Sequence, residues 1–158
     1  MESGSFNRNN NKSFVISNFI RLKTVIIERN CGRYASVFEI RDCSNLTAIL
    51  VHENSFLPDT SDEVGKMTIK NCGMLQKIIL EGQTFVNYSE LNLFGLPQLT
   101  DLVIGDLNPA KDSQNFLGVE RLSLSKLPML QRLIIGTMAF DFVRRVCLSR
   151  RNKNLVTQ

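Results

Sequence analysis

The sequence predicts a repeat solenoid, mainly β: short parallel strands stacked coil on coil through irregular or short helical connections, with five full coils and part of a sixth. Three observations predict it. Five segments align without gaps: FVISNFIRLKTVII from Phe14, FEIRDCSNLTAILV from Phe38, MTIKNCGMLQKIIL from Met67, LNLFGLPQLTDLVI from Leu91 and LSLSKLPMLQRLII from Leu122. Each is apolar at positions 1, 3, 6, 9, 12 and 14, two apolar-x-apolar steps that fit neither one amphipathic helix nor a run of plain hairpins. Position 9 is leucine throughout (Leu22, Leu46, Leu75, Leu99, Leu130), and Phe56, Phe85 and Phe140 each follow position 14 by 5 residues, with Leu107 near the equivalent place in the fourth unit.

Residues 1–13, MESGSFNRNNNKS, are polar and asparagine-rich and read as a disordered leader without the apolar run of a signal peptide. The five units, spanning with their continuation residues 14–148, start 24, 29, 24 and 31 residues apart, so the unit is constant while every second connection is longer. In stacked coils the same position recurs about 4.8 Å along the stack. Position 6 is then a core row of Phe19, Cys43, Cys72, Leu96 and Leu127, in which the cysteines act as small apolar residues. Positions 12 and 14 form the rows Val25/Ile27, Ile49/Val51, Ile78/Leu80, Leu102/Ile104 and Leu133/Ile135. Val146-Cys147-Leu148 begins 24 residues after Leu122 and reads as the opening strand of a sixth coil left incomplete, followed by a basic tail over 149–158. Arg144, Arg145, Arg150, Arg151 and Lys153 make this the one strongly biased region, read as solvated. Both ends look open, which suggests a section of a longer array or end-to-end self-association.

Composition narrows the classes. Leu, Ile, Val and Phe supply 53 of 158 residues, enough for a core, so disorder as the main state is excluded. A net charge of +4 spread along most of the chain points to neither a nucleic acid nor a membrane surface. No run approaches the roughly 20 apolar residues of a membrane span. The four cysteines form no CxxC pair, so free thiols in the cytoplasm are expected and no metal or other cofactor. Were the chain part of an exported protein, the sequons at Asn11, Asn45 and Asn87 would matter. His52, the sole histidine, falls on a solvent-facing strand position without a second ligand or a nucleophile at usable spacing, and reads as solvated. Gly105 and Gly136 read as turn residues, and Asp101 with Asp106 is an acid pair confined to one coil. These readings predict a protein that is not an enzyme.

The L-x-x-I/L-x-I/V/L core at Leu46 to Val51, Leu75 to Leu80, Leu99 to Ile104 and Leu130 to Ile135 resembles the strand segment of leucine-rich repeats. The lead-ins Cys43-Ser-Asn-Leu46 and Leu96-Pro-Gln-Leu99, with Ser55-Phe56, Thr84-Phe85 and Ala139-Phe140 beyond, resemble the BspA-like subtype. The usual asparagine ladder after the strand is missing, its places holding Asn30, Asn54, Gln83 and then other residues, so a right-handed β-solenoid of irregular coil length is the alternative.

The resemblance implies that the second strand of each coil lines a concave surface. Period-two alternation independently points positions 11, 13 and 15 outward. Position 13 is aliphatic in all units, Ile26, Leu50, Ile79, Val103 and Ile134, a stripe about 19 Å long over four steps. The outward row of the first strand, Val15, Glu39, Thr68, Asn92 and Ser123, is mostly polar. The stripe is read as a partner-binding surface for another protein, with Lys77, Asp101 and Arg132 supplying charge complementarity. Folding of the long connections, about 57–66 and 108–118, over the stripe is the plainer alternative, as is simple β-propensity. A segment of a larger adhesive surface protein is a second functional reading, and a carbohydrate-active β-helix enzyme a third.

Overall fold

The computed structural model describes residues 12–57, 64–106, 108, 113–140, 145–148 and 156–157. Among them the chain forms strands only, with turns between: β1 (Ser13–Ser17), β2 (Thr24–Ile27), β3 (Val37–Arg41), β4 (Ala48–Val51), β5 (Gly65–Lys70), β6 (Lys77–Leu80), β7 (Tyr88–Phe94), β8 (Asp101–Ile104), β9 (Arg121–Ser125), β10 (Arg132–Ile135), β11 (Arg145–Leu148) and β12 (Val156–Thr157). The expected helical connections are therefore turns throughout the described residues.

Odd-numbered strands build one parallel sheet in the order β1-β3-β5-β7-β9-β11, and even-numbered strands a second, β2-β4-β6-β8-β10-β12. The register equals the sequence alignment. Phe14 pairs with Phe38, Phe38 with Met67, Met67 with Leu91, Leu91 with Leu122 and Leu122 with Val146. Inward side chains at positions 1, 3, 12 and 14 consequently form continuous rows between the two sheets, and these rows are the core. β11 opens a sixth coil as expected. Contrary to the reading of a tail after it, Val156 and Thr157 pair with Arg132 and Leu133, so the sixth coil also reaches the second sheet. Residues 1–11 of the expected leader and residues 149–155 lie outside the described residues, whereas the last two residues of that leader are ordered: the Lys12 carbonyl accepts the Ser36 and Val37 N–H groups and Ser13 opens β1.

Two corners turn the chain. After β1, β3, β5, β7 and β9, respectively, Asn18, Asp42, Asn71, Gly95 and Lys126 adopt φ between 55° and 64°. Asn, Asp and Gly tolerate this left-handed conformation best, which explains four of the five. The position 9 leucine then donates its N–H to the position 6 carbonyl, as from Leu46 to Cys43 and from Leu99 to Leu96, both at 3.2 Å. The second corner places two left-handed residues around one inward residue: Asn54 and Phe56 around Ser55, Gln83 and Phe85 around Thr84, Gln114 and Phe116 around Asn115, Met138 and Phe140 around Ala139. The inward residues link the coils, because Ser55 Oγ accepts the Cys31 N–H (3.3 Å) while Asn115 Nδ2 donates to the Glu81 carbonyl and to Thr84 Oγ1 (2.7 Å each). This polar row replaces the absent asparagine ladder.

The phenylalanines of this corner stack face to face: Phe56 on Phe85 at 4.8 Å, Phe85 on Phe116 at 5.4 Å and Phe116 on Phe140 at 5.4 Å between ring centres. The fourth rung is thus Phe116 and not Leu107, which lies outside the described residues. Phe116 stands 12 residues beyond Ile104, and the longer connection brings it back into the ladder. Ser113 threads this return: its N–H reaches the Thr137 carbonyl, its carbonyl takes the Gln83 N–H, and its Oγ accepts the Asp106 N–H at 2.8 Å. A Cβ on Gly105 or Gly136 would meet Ser113 Oγ at 2.6 or 2.3 Å, so both glycines leave room for that passage, beyond the turn role expected of them.

One further expectation is corrected at the first coil. Phe19 is 59% exposed although its row is buried in the next four coils, because β1 is an edge strand and no coil among the described residues packs on the outer side of that corner. Phe14, Val25 and Ile27 of the same coil are buried, so its core rows are covered unevenly although β1 and β2 stand at the edges of their sheets.

Candidate functional site

The second sheet carries the residues singled out above. Its register stacks Ile26, Leu50, Ile79, Val103 and Ile134 in one outward row across β2, β4, β6, β8 and β10. The row is graded in exposure. Ile26 is 43% exposed, Leu50, Ile79 and Ile134 are half-buried, and Val103 is 4% exposed. Val103 is therefore a packed residue and not a solvent-facing contact. It is flanked in register by Ile79 and Ile134, and the returning connection crosses at Gly105 and Gly136, two residues further along the same strands. The exposed part of the stripe is concentrated in the first three coils.

The charges at position 11 do not act together as expected. Arg132 Nε lies 2.7 Å from Asp101 Oδ1, and Asp101 Oδ2 accepts the Thr100 hydroxyl at 2.7 Å, so these two residues largely neutralise one another. Lys77 is exposed and makes no ion pair among the described residues. At position 15, His52 Nδ1 lies 2.9 Å from Glu81 Oε2, an oxygen that also accepts the Glu53 N–H at 3.3 Å. His52 is thus half-buried and bonded between coils, where the sequence suggested a solvated side chain. Glu28, one coil earlier, is exposed.

These placements give the face a polarity that the row-by-row reading missed. Its leading edge, where the strands begin, holds Lys23 and Lys77; its trailing edge holds Glu28, Glu81 and Glu53, the last paired with Arg29 at 3.5 Å. The signal was present, since lysine stands at position 10 or 11 in the first and third units and glutamate at position 15 or 16 in each of the first three.

The outer face of the first sheet differs. Glu39 is bridged by Arg41 at 3.3 Å and Lys70 at 3.0 Å, and Glu90 by Lys66 at 3.4 Å and Arg121 at 4.0 Å. A groove of about 300 Å³ there is lined by Glu90, Glu120, Arg121 and Arg145. Its partly exposed ion pairs contribute little to stability and leave a surface of mixed sign.

The cysteine rows are buried. Cys43 and Cys72 donate to the Arg41 and Lys70 carbonyls at 3.4 and 3.5 Å, and burial pushes the Cys72 thiol up to about 11. Cys147, on β11, is exposed. Among the described residues no three potential metal ligands converge, and no helix is long and apolar enough to cross a membrane. Comparison with protein-family models, curated proteins and solved structures finds no match to the chain.

Proposed function

We propose that the chain is a non-catalytic protein-interaction module of the leucine-rich-repeat kind, acting through the outer face of its second sheet. The carrying observation is the contrast between the sheets: an aliphatic row on one outer face, polar and ion-paired residues on the other. Aliphatic side chains aligned on a solvent-facing sheet suit a partner that desolvates them. Stacked coils fix the backbone beforehand, so binding orders few groups and loses little conformational entropy. The contact residues are Ile26, Leu50 and Ile79, with Lys77 as the charged contact. Asp101 and Arg132 serve each other, and Val103 and Ile134 support the far end. The reading involves no cofactor and fits a protein of the cytoplasm.

The test is a double substitution, Leu50→Ser with Ile79→Ser, compared with the wild type by cross-linking and affinity capture. Both residues point outward, so melting should change little while partner recovery falls at least about tenfold, or about 1.4 kcal/mol. Equal recovery by a folded double variant would remove this face from the interaction.

A further inference from the structure

The same face is self-complementary in charge, and this identifies an occupant. In the first coil Lys23 precedes β2 and Glu28 follows it; in the third, Lys77 opens β6 and Glu81 follows it. Lys23, Glu28 and Lys77 are exposed, and no ion pair among the described residues engages them. Glu81 is fixed by His52 and by the Glu53 N–H through one carboxylate oxygen, leaving the other available. The apolar row Ile26, Leu50, Ile79 runs midway between the two edges.

Building on the protein-binding reading of this surface, we infer that the partner on the first three coils is a second copy of this chain, docked face to face about a two-fold axis parallel to the stack. Such an axis keeps coil opposite coil and reverses the strand direction. Stripe then covers stripe, Lys77 of one copy meets Glu81 of the other, and Lys23 meets Glu28 beside Arg29, whose charge is taken up by Glu53, each pairing occurring twice. The other two-fold that opposes these faces runs along the strands. It reverses coil order and sets Lys23 against Lys77 and Glu28 against Glu81, so repulsion selects the first arrangement.

The contact is small. Three strands with their flanking residues cover about 20 Å by 14 Å, roughly 300 Å² per copy, below the roughly 800 Å² per partner of stable complexes. Association is therefore weak and salt-sensitive, with a dissociation constant of roughly 0.1–1 mM. It is a contact for high local concentration, as when copies are tethered side by side.

Sedimentation of the whole chain up to about 1 mM tests this. The weight-average mass should rise from 17.9 kDa toward twice that in low salt and fall back when salt is added. A basic-edge variant, Lys23→Glu with Lys77→Glu, and an acidic-edge variant, Glu28→Lys with Glu81→Lys, should each associate at least about tenfold more weakly. Mixed one to one, they should associate again, because every edge contact is then opposite in sign. Should Glu81→Lys unfold the chain through loss of its His52 bond, Lys23→Glu mixed with Glu28→Lys makes the same comparison. A wild type monomeric at the highest concentration in low salt, a basic-edge variant associating like the wild type, or a mixture that stays monomeric would each overturn the proposal. If the wild type is monomeric yet a different protein is lost with Leu50→Ser and Ile79→Ser, the interaction reading stands and only the self-association falls.

Discussion

Replacing Phe85 by alanine tests the feature that joins the coils most directly. Phe85 is fully buried, stacked on Phe56 at 4.8 Å and Phe116 at 5.4 Å, and edge-on to Phe38 at 5.2 Å and Tyr88 at 4.9 Å. Truncating a buried phenylalanine costs about 3–5 kcal/mol, and favourable ring pairs add about 0.5–1.5 kcal/mol each. Four ring partners put Phe85→Ala at the upper end, near 5 kcal/mol by that scale. Phe116, also fully buried, has two ring partners in the ladder and should lose about 3–4 kcal/mol. Phe140 is half-buried with one, and should lose about 1–2 kcal/mol. The backbone contributes no offset, since φ is +56° at Phe85 and alanine is no better suited than phenylalanine to that region; Phe85→Gly should recover roughly 1 kcal/mol. Urea unfolding followed by circular dichroism gives the three values at unchanged slope. A cost under about 2 kcal/mol for Phe85→Ala, or one equal for Phe85 and Phe140, would refute the idea that the stack carries the coil-to-coil energy.

Gly136→Ala places a Cβ at 2.3 Å from Ser113 Oγ and should destabilise by about 1–3 kcal/mol, whereas Gly73→Ala, which meets nothing within 4 Å, should stay within about 0.5 kcal/mol of the wild type. Tyr88 donates its hydroxyl to the Ala35 carbonyl at 2.6 Å, so Tyr88→Phe should cost about 1–3 kcal/mol by leaving that buried acceptor unpaired. Burial also raises the Tyr88 phenol well above its ordinary range and the Cys72 thiol from 9.0 to about 11. The unfolded chain therefore releases these protons first, so their contribution is intact below about pH 9 and falls as pH rises, by about 1.4 kcal/mol per unit per group once its unfolded value is passed. Urea midpoints taken against pH check the sign: a midpoint that rises above pH 9 would contradict it. With a thiol reagent under native conditions, Cys147 should react at once and Cys31, Cys43 and Cys72 only on unfolding; rapid labelling of a second site would contradict their burial.

Much of the fold was legible because stacking forces equal residues into equal places. Leucine at position 9 and the apolar steps at 12 and 14 were sufficient to fix the register of β2, β4, β6, β8 and β10. Phe116 was missed for a physical reason: a connection can lengthen without moving the rung it returns to, so counting residues from Ile104 leads to Leu107. Val103 was misjudged because alternation says only which way a side chain points, not what packs beside it or which connection crosses nearby. The charged edges lay at the flanks of the strands, where periodicity no longer determines direction. Gly105 and Gly136 look like ordinary turn residues until Ser113, eight residues after one and twenty-three before the other, is placed between them.

The two ends of the solenoid should differ in local stability, and the reason lies in the core rows. A coil in a stack is held by its own contacts and by both neighbours, so an end coil loses one interface and opens more readily. At the first coil that loss is reduced: Phe14 is 2% exposed and Ile27 1%, as deeply covered as interior members of their rows. At the far end the same rows emerge into solvent, with Ile135 at 40% and Val146 at 55%, and β12 spans only the first half of β10. Native-state amide exchange should therefore show β3, β5 and β7 opening only with global unfolding, β1 and β2 slightly sooner, and the end of β10 together with β11 soonest. Phe85→Ala should reduce protection on both sides of the third coil, whereas Ile135→Ala, at a position already half open, should change the central strands by less than about 0.5 kcal/mol. If β11 exchanged as slowly as β5, those rows would have to be covered in solution, and the end would be a closed surface.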